Sequence, residues 1–146
     1  MKLFVSMRMH GTDETKLHER LNSYVENVKT DENLKDDIKS PIEVINTIDH
    51  AGAPKNASRL WYLGESIKKL SDADMVYFAD DWYKANGCWV EFVAAHLYLD
   101  NANIIYDYPD EWTGRWIMDI IREVLCFIDE MRRRNEEEEI EKEEKK

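Results

Sequence analysis

Short apolar runs alternate with longer stretches of helical periodicity along this chain. Four runs, at residues 2–6, 42–48, 73–78 and 103–106, are rich in β-branched or aromatic residues and predict strands. Four longer stretches repeat apolar residues every three or four positions, which predicts helices. Strands that alternate with helices at this spacing are typical of a parallel sheet with helices on both sides. The pattern therefore predicts an α/β fold with a parallel sheet of four or five strands.

The apolar positions define the faces that the predicted helices should bury. Those positions are Leu17, Leu21, Tyr24, Val25 and Val28 in the first helix; Leu60, Trp61, Leu63, Ile67 and Leu70 in the second; Val90, Val93, Ala94 and Leu97 in the third; and Trp116, Ile117, Ile120, Ile121, Val124, Leu125 and Ile128 in the last. Thr12 is the expected N-cap of the first helix, and Asn56 or Ser58 that of the second.

The last two predicted helices occupy residues 87–99 and about 111–134. Beyond them, residues 135–146 are almost entirely charged and include one apolar residue, Ile140, so this segment cannot hold itself to a core. We therefore expect a single domain at residues 1–134, followed by a charged, flexible tail that extends the last helix.

Composition narrows the function classes. With 146 residues and 43% apolar content the chain can bury one core. A net charge of −11 argues against binding polymeric nucleic acid, which needs clustered cations, but still allows a single nucleotide. The cysteines form no CxxC, the four histidines stand far apart, and no Walker or GxGxxG motif is present. With no apolar run near eighteen residues, we expect a cytoplasmic protein with no metal, no cofactor and no membrane partner.

The segment at residues 74–99 carries the strongest chemical signal. A predicted strand is followed by the acidic loop Asp80-Asp81-Trp82, by Asn86-Gly87 and by a helix with Glu91 near its start. In open α/β sheets, small ligands bind beyond the carboxyl ends of the strands, and helix N-termini there favour anions. Glu91 is therefore a candidate functional acid, although a solvated residue that complements the helix dipole fits the same pattern. Cys88 fits a packing role, because its nearest charges are acidic.

Three segments, KLFVSMRMHG, LWYLGESIKKLSDADMVYFADDW and GCWVEFVAAHLY, together resemble a family of small bacterial and phage proteins of unassigned function. That family belongs to the nucleoside 2-deoxyribosyltransferase-like superfamily, and the resemblance covers residues 1–107. It implies a flavodoxin-like, three-layer doubly wound sheet that binds a nucleoside or nucleotide. In characterised relatives, a glutamate shortly after a glycine at a helix start attacks the anomeric carbon. Glu91, within GCWVE, is similar to that nucleophile.

The resemblance also implies how the remainder of a site would be assembled. The loop from Ser6 to Gly11 would line the pocket opposite Glu91, with Arg8 contacting a phosphate or the base. Trp82 could stack on a base. The substrate-binding residues that we expect are Ser6, Arg8, Gly11, Ser66, Asp80, Asp81, Trp82, Asn86 and Gly87. Related enzymes complete the site from a neighbouring subunit, so a homodimer or larger assembly is expected, with Trp112, Trp116 and the last helix as its interface.

The chain departs from the relatives at two positions. An aspartate that contacts the sugar lies eight residues before the Ala-Asp that opens the third strand, and Ser66 stands there in this chain. Six residues before the glutamate, the transferases have Asp and the nucleotide hydrolases Ser, whereas this chain has Ala85. Three functions stay open: an N-glycosidic-bond enzyme using Glu91, a noncatalytic nucleotide-binding module favoured by these departures, and an interaction protein acting through its last helix.

Overall fold

A central parallel sheet organises the computed structural model, which describes residues 1–107 and 114–146. The sheet contains four strands in the order β2-β1-β3-β4: β1 (Lys2–Ser6), β2 (Glu43–Val44), β3 (Met75–Phe78) and β4 (Asn103–Tyr106). All of the strand pairs are parallel. The α-helices of the described chain are α1 (Glu14–Thr30), α2 (Arg59–Leu70), α3 (Asn86–Tyr98) and α4 (Gly114–Glu144). This arrangement confirms the predicted flavodoxin-like, three-layer α/β fold.

Alternating side chains of the sheet build a core on each face. Leu3 and Val5 of β1 point toward α1 and pack with its buried residues Leu17, Leu21, Val25 and Val28. Phe4 and Phe78 point to the opposite face, which α2, α3 and α4 cover. All four residues of β3 are buried, as expected for a central strand with helices on both sides.

The chain leaves β1 and β3 toward opposite faces of the sheet. These two strands are neighbours, with Ser6 opposite Phe78 at their carboxyl ends. After β1 the chain enters α1 on one face, and after β3 it enters α3 on the other. Such a switch point opens a crevice between the two connections, and ligands of doubly wound sheets bind there.

The second strand is much shorter than the predicted run at residues 42–48. Its ladder ends after the bond from the Ile45 amide to the Leu3 carbonyl. The side chain of Asn46 then accepts hydrogen bonds from the amides of Ile48 and Asp49, each at 3.0 Å. This side-chain turn competes with the sheet ladder and ends the strand, which a count of β-branched residues does not detect.

The N-caps of α1 and α2 can be compared with the predicted ones; one prediction is wrong, and one of two alternatives is confirmed. Asp13, rather than Thr12, caps α1, because its carboxylate accepts the amide of Lys16 at 3.0 Å. Ser58 caps α2 by accepting the amide of Trp61 at 3.1 Å.

The face that α3 buries differs from the predicted one. Val90, Val93, Ala94 and Leu97 were expected to point inward, but the buried residues are Cys88, Glu91, Phe92 and Ala95. The helix α3 carries apolar residues on all of its faces, so the periodicity of its sequence does not indicate which face is buried. In α2, Leu60 also lies outside the core and is 75% exposed.

The last helix is longer than predicted. It runs from Gly114 to Glu144, so the charged segment at residues 135–146 continues it as a surface helix with pairs such as Arg133–Glu137. The expected start near residue 111 and Trp112 lie outside the described residues. Trp116 was predicted to share the apolar face, yet it is 64% exposed. In the described part of the chain, no helix is both long and apolar enough for a membrane span.

Candidate functional site

The carboxylate of Glu91 is buried at the carboxyl ends of β1 and β3. Ser6, the last residue of β1, donates its hydroxyl to Oε2 of Glu91, and Ser66 of α2 donates to Oε1 at 2.6 Å. Glu91 lies in the second turn of α3 and is 8% exposed. Three elements that are distant in the sequence therefore converge on one carboxylate and fix both of its oxygens.

The surroundings of Glu91 change the pKa of its carboxyl group. Burial raises the pKa of this carboxyl above its ordinary value, and the hydrogen bonds from Ser6 and Ser66 oppose that rise. Within the described residues, no lysine, arginine or histidine forms an ion pair with it. The ionised carboxylate is therefore stabilised by two neutral hydroxyl donors, and no neighbouring cation balances its negative charge among the described residues.

Cys88 lies beside this carboxylate but cannot share its chemistry at neutral pH. The thiol is buried, and burial together with the nearby charge of Glu91 raises the pKa of Cys88 to about 12. A protonated thiol is a weak nucleophile. The packing role predicted for Cys88 agrees with its burial.

A cavity of about 750 Å³ opens next to Glu91. Its walls come from the loop after β1, the loop after β2, the first half of α2 and the start of α3. Leu60, Leu63 and Val90 supply an apolar part of the wall, and Ser66, Asn86 and Glu91 a polar part. This volume suits a small organic ligand, and the mixture of apolar and convergent polar groups is typical of a binding site.

Cations are concentrated at this cavity although the chain is acidic overall. Arg8, Arg59 and Lys84 all line it. Lys84 is held by Asp81 at 2.9 Å, whereas neither arginine side chain has a hydrogen bond or an ion pair among the described residues. Two guanidinium groups that form no hydrogen bond or ion pair among the described residues, in a chain of net charge −11, favour an anionic group on the ligand.

Five of the predicted site residues meet here with Glu91. Ser6 and Ser66 bind its carboxylate, while Arg8, Asn86 and Gly87 line the cavity. A Cβ at Gly87 would meet only Leu63 Cδ1, at 3.9 Å, so packing within the protein does not require glycine at this position.

The other four predicted substrate-binding residues do not line the cavity. Gly11 has φ +76° and makes the turn before α1. Asp80 is exposed. Asp81 forms an ion pair with Lys84, and its backbone has φ 60°, a left-handed conformation that Asp tolerates. Trp82 has no exposed surface and stacks on Phe92 with the ring centroids 4.8 Å apart. In this structure Trp82 is therefore a core residue, and stacking on a ligand would require it to leave the core.

The loop after β2 and the start of α2 contribute residues to the cavity that were not predicted from the sequence. Thr47, His50, Arg59 and Tyr62 all line the cavity. Burial lowers the pKa of His50, which favours its neutral form at pH 7. The signal that was available is positional: in a parallel sheet, the loop after the second predicted strand begins at the same edge as the loop after the first.

One group of side chains in the described chain has the spacing of cation ligands. Ligand atoms of Glu14, His18 and Asp49 lie within 4.8 Å of one another, with Asp49 Oδ1 at 3.2 Å from His18 Nε2. Glu14 and Asp49 are exposed, and none of the three residues lines the cavity. Exposed groups of this kind bind cations weakly.

Comparison of the chain with protein-family models, curated proteins and solved structures finds no match.

Proposed function

We propose that this chain is an enzyme acting on the N-glycosidic bond of a nucleoside or nucleotide, with Glu91 as its nucleophile. The supporting observation is the buried Glu91 carboxylate, which Ser6 and Ser66 fix at the wall of a cavity lined by cations. A nucleophilic carboxylate must be held in one orientation beside its substrate, and two serine hydroxyls hold this one at the wall of the cavity. The resemblance to deoxyribosyltransferase-like proteins favours the same reaction class.

In the proposed reaction, one oxygen of ionised Glu91 attacks the anomeric carbon. The bond from that carbon to the base nitrogen breaks, and the base leaves with the bonding electrons and takes up a proton from solvent. Water, or a second base, then attacks the same anomeric carbon and breaks its bond to the Glu91 oxygen. The carboxylate is released, and the attacking water or base gives up a proton to solvent. Ser6 and Ser66 hold the carboxylate through both steps, and their hydrogen bonds weaken its nucleophilicity less than an ion pair would.

The two arginines favour a phosphorylated substrate. Arg8 and Arg59 line the same cavity as Glu91, and a guanidinium binds a phosphate through two parallel hydrogen bonds. We therefore propose a nucleoside monophosphate in preference to a nucleoside. Arg8→Met and Arg59→Met should weaken binding of a monophosphate and leave binding of the matching nucleoside unchanged.

The decisive experiment measures base release by chromatography, using a panel of nucleosides and nucleoside monophosphates. Glu91→Gln keeps the size of the side chain and two hydrogen-bonding positions but removes the negative charge. Base release should fall by several orders of magnitude while ligand binding persists. Glu65→Gln is the matched control, because Glu65 is a neighbouring acid that Lys68 pairs at 2.6 Å and that does not line the cavity. Its rate should equal that of the wild type.

A noncatalytic nucleotide-binding module is the second candidate, and the burial of Glu91 is the observation that favours it. Burial raises the pKa of Glu91, and a protonated carboxyl is no nucleophile. Absence of base release from every substrate, together with equal binding of a nucleotide by wild type and Glu91→Gln, would establish this function in place of the enzyme.

A gain of function provides a further test of the enzyme. Ser66→Asp places a carboxylate where the relatives carry one, although it also removes a donor from Glu91. If the serine at this position limits catalysis, the substitution should raise a weak base-releasing activity, whereas a drop in rate would assign Ser66 to positioning Glu91.

A further inference from the structure

Two polar atoms at the wall of the cavity beside Glu91 are buried without a hydrogen-bond partner. They are Oγ1 of Thr47 and Nδ1 of His50; in the described part of the chain, the other buried side-chain atom of this kind is Nε2 of His96. Thr47 and His50 both line the cavity, whereas His96 does not. Buried polar side chains nearly always have a partner, so two without one at a single cavity indicate a place where a ligand binds.

The backbone around Thr47 is fixed by other side chains. Lys69 donates to the carbonyls of Asn46 at 2.7 Å and of Asp49 at 3.0 Å. The side chain of Asn46 accepts the amides of Ile48 and Asp49. Thr47 lies inside this turn and is 1% exposed. Moving the backbone at Thr47 would break these bonds, so the fold itself sets the position of its hydroxyl at the cavity.

The ring of His50 is also held in place. It contacts the rings of Tyr62 and Trp61 edge to face, with the centroids 5.1 Å and 6.4 Å away. Burial lowers the pKa of His50, which favours the neutral ring at pH 7. A neutral imidazole nitrogen donates or accepts one hydrogen bond, and a hydroxyl does both. Thr47 and His50 therefore offer the cavity two uncharged hydrogen-bonding groups in fixed positions.

The cations of the cavity come from other segments. Arg8 belongs to the loop after β1, Arg59 to the first turn of α2, and Lys84 to the segment before α3. The loop at residues 45–58 lines the cavity with Thr47 and His50, which are both uncharged. The cavity thus combines cations with a pair of neutral groups, which suits a ligand that has an anionic part and an uncharged polar part.

We propose that Thr47 and His50 bind the base of the nucleoside monophosphate, while Arg8 and Arg59 hold its phosphate. The identity of this ligand rests on the proposed function. The edge of a nucleobase is uncharged and carries donors and acceptors side by side, so it can pair both atoms. The base displaces no protein partner and meets groups that are already in position, which makes both hydrogen bonds favourable. A ligand without such an edge leaves both atoms unpaired, so Thr47 and His50 determine specificity.

Calorimetric titration of the full chain with the common ribo- and deoxyribonucleoside monophosphates tests this contact. A Glu91→Gln background prevents consumption of the ligand. In that background, Thr47→Val keeps the shape of the side chain but removes the hydroxyl, and it should weaken binding of the tightest monophosphate about tenfold. Thr47→Ser keeps the hydroxyl and should bind like the background. Thr30→Val is the matched control, because the Thr30 hydroxyl donates to the Glu26 carbonyl at 2.8 Å and does not line the cavity. Its affinity should be unchanged.

Thermal unfolding of the ligand-free protein separates a binding role from a structural one. Because the Thr47 hydroxyl has no partner in the protein, Thr47→Val should leave Tm unchanged or raise it. A lower Tm would show that the hydroxyl stabilises the fold and would overturn the proposal. His50→Phe keeps an aromatic ring against Tyr62 but removes both nitrogens, and it should also weaken binding of the monophosphate.

A ligand without a base assigns the contact. For 2-deoxyribose 5-phosphate, Thr47→Val and the background should bind equally, and an equal loss with this sugar phosphate would assign Thr47 to the sugar and overturn its assignment to the base. Equal binding of the monophosphate by Thr47→Val and the background would overturn this contact alone, with a water as the partner of the hydroxyl. A chain that binds no monophosphate would overturn the contact together with the proposed substrate, and base release by wild type is measured separately.

Discussion

The carboxyl edge of the sheet has two neighbouring regions that are built differently. At the ends of β1 and β3, Ser6 and Ser66 hold Glu91 beside an open cavity of about 750 Å³. At the ends of β3 and β4, Trp82 fills the space and stacks on Phe92. The same sheet edge thus carries one polar, accessible region and one apolar, closed region. After β3 the chain turns at Asp81, which has φ 60°, and the ring of the next residue, Trp82, is fully buried.

Each region also contains an acid, buried in the case of Glu91 and half-buried in the case of Asp107, and the two acids are stabilised differently. Asp107 accepts the hydroxyl of Tyr77 at 2.7 Å, while its carbonyl accepts the indole of Trp82 at 3.1 Å. Burial raises the pKa of both Asp107 and Glu91. Asp107 is tied to the packed rings around it, whereas Glu91 faces the cavity.

The largest effect on stability is expected when the ring that fills the closed region is removed. Trp82→Ala removes a ring with no exposed surface and should lower the free energy of unfolding by about 3–5 kcal/mol. Denaturant unfolding at one fixed protein concentration measures it. Trp116→Ala is the control, because Trp116 is 64% exposed and its loss should change stability by no more than ~0.5 kcal/mol. Equal losses in the two variants would refute the distinction between the regions.

An intermediate and pH-dependent effect is expected at the open region. Because its folded-state pKa is raised, Glu91 binds its proton more tightly in the folded than in the unfolded chain at pH values above the ordinary 4.5. Wild type should therefore lose stability relative to Glu91→Gln as the pH rises from 4.5, until Glu91 is ionised in the folded state. Unfolding curves over a pH series measure this difference.

Glu65→Gln provides a control of opposite sign for that series. The hydrogen bond from Lys68 lowers the pKa of Glu65, so wild type should gain stability relative to Glu65→Gln as the pH rises toward neutrality. The gain should be small, because this carboxylate is exposed to solvent. A pH-independent difference between wild type and Glu91→Gln would mean that the site does not destabilise the charged carboxylate.

The smallest effect is expected in a region that has neither a core nor a cavity. Residues 135–146 are exposed and carry side-chain pairs such as Lys142–Glu138 and Lys145–Glu141. Pairs of this kind contribute about 0.3–0.5 kcal/mol each and are screened by salt. Deleting these residues should leave the unfolding free energy of the domain nearly unchanged, and their amides should exchange rapidly. Strong protection there would show that the segment is held by tertiary contacts.

The predicted strands are confirmed where no side chain competes with the sheet ladder. Residues 103–106 form β4 as predicted, and buried β3 occupies most of the expected run at 73–78. Prediction failed where a side chain competes with the backbone, as at Asn46, and where a helix is apolar on all sides, as in α3. Local composition does not specify which backbone amides the Asn46 side chain binds, nor which face of α3 is buried.

By itself, the sequence determined the α/β class and the position of Glu91 after the third strand, because strands that alternate with helices form a parallel sheet whose strands end at one edge. Ser6, Arg8 and Ser66 were expected near Glu91 from the resemblance, and the structure brings them close to it. Tertiary structure alone decided that two serine hydroxyls hold Glu91, that Arg59 joins Arg8 and that Trp82 belongs to the core. The physical reason is that hydrogen bonds and burial depend on which residues meet in space. Ser6 and Glu91, 85 positions apart, meet only once the sheet has formed.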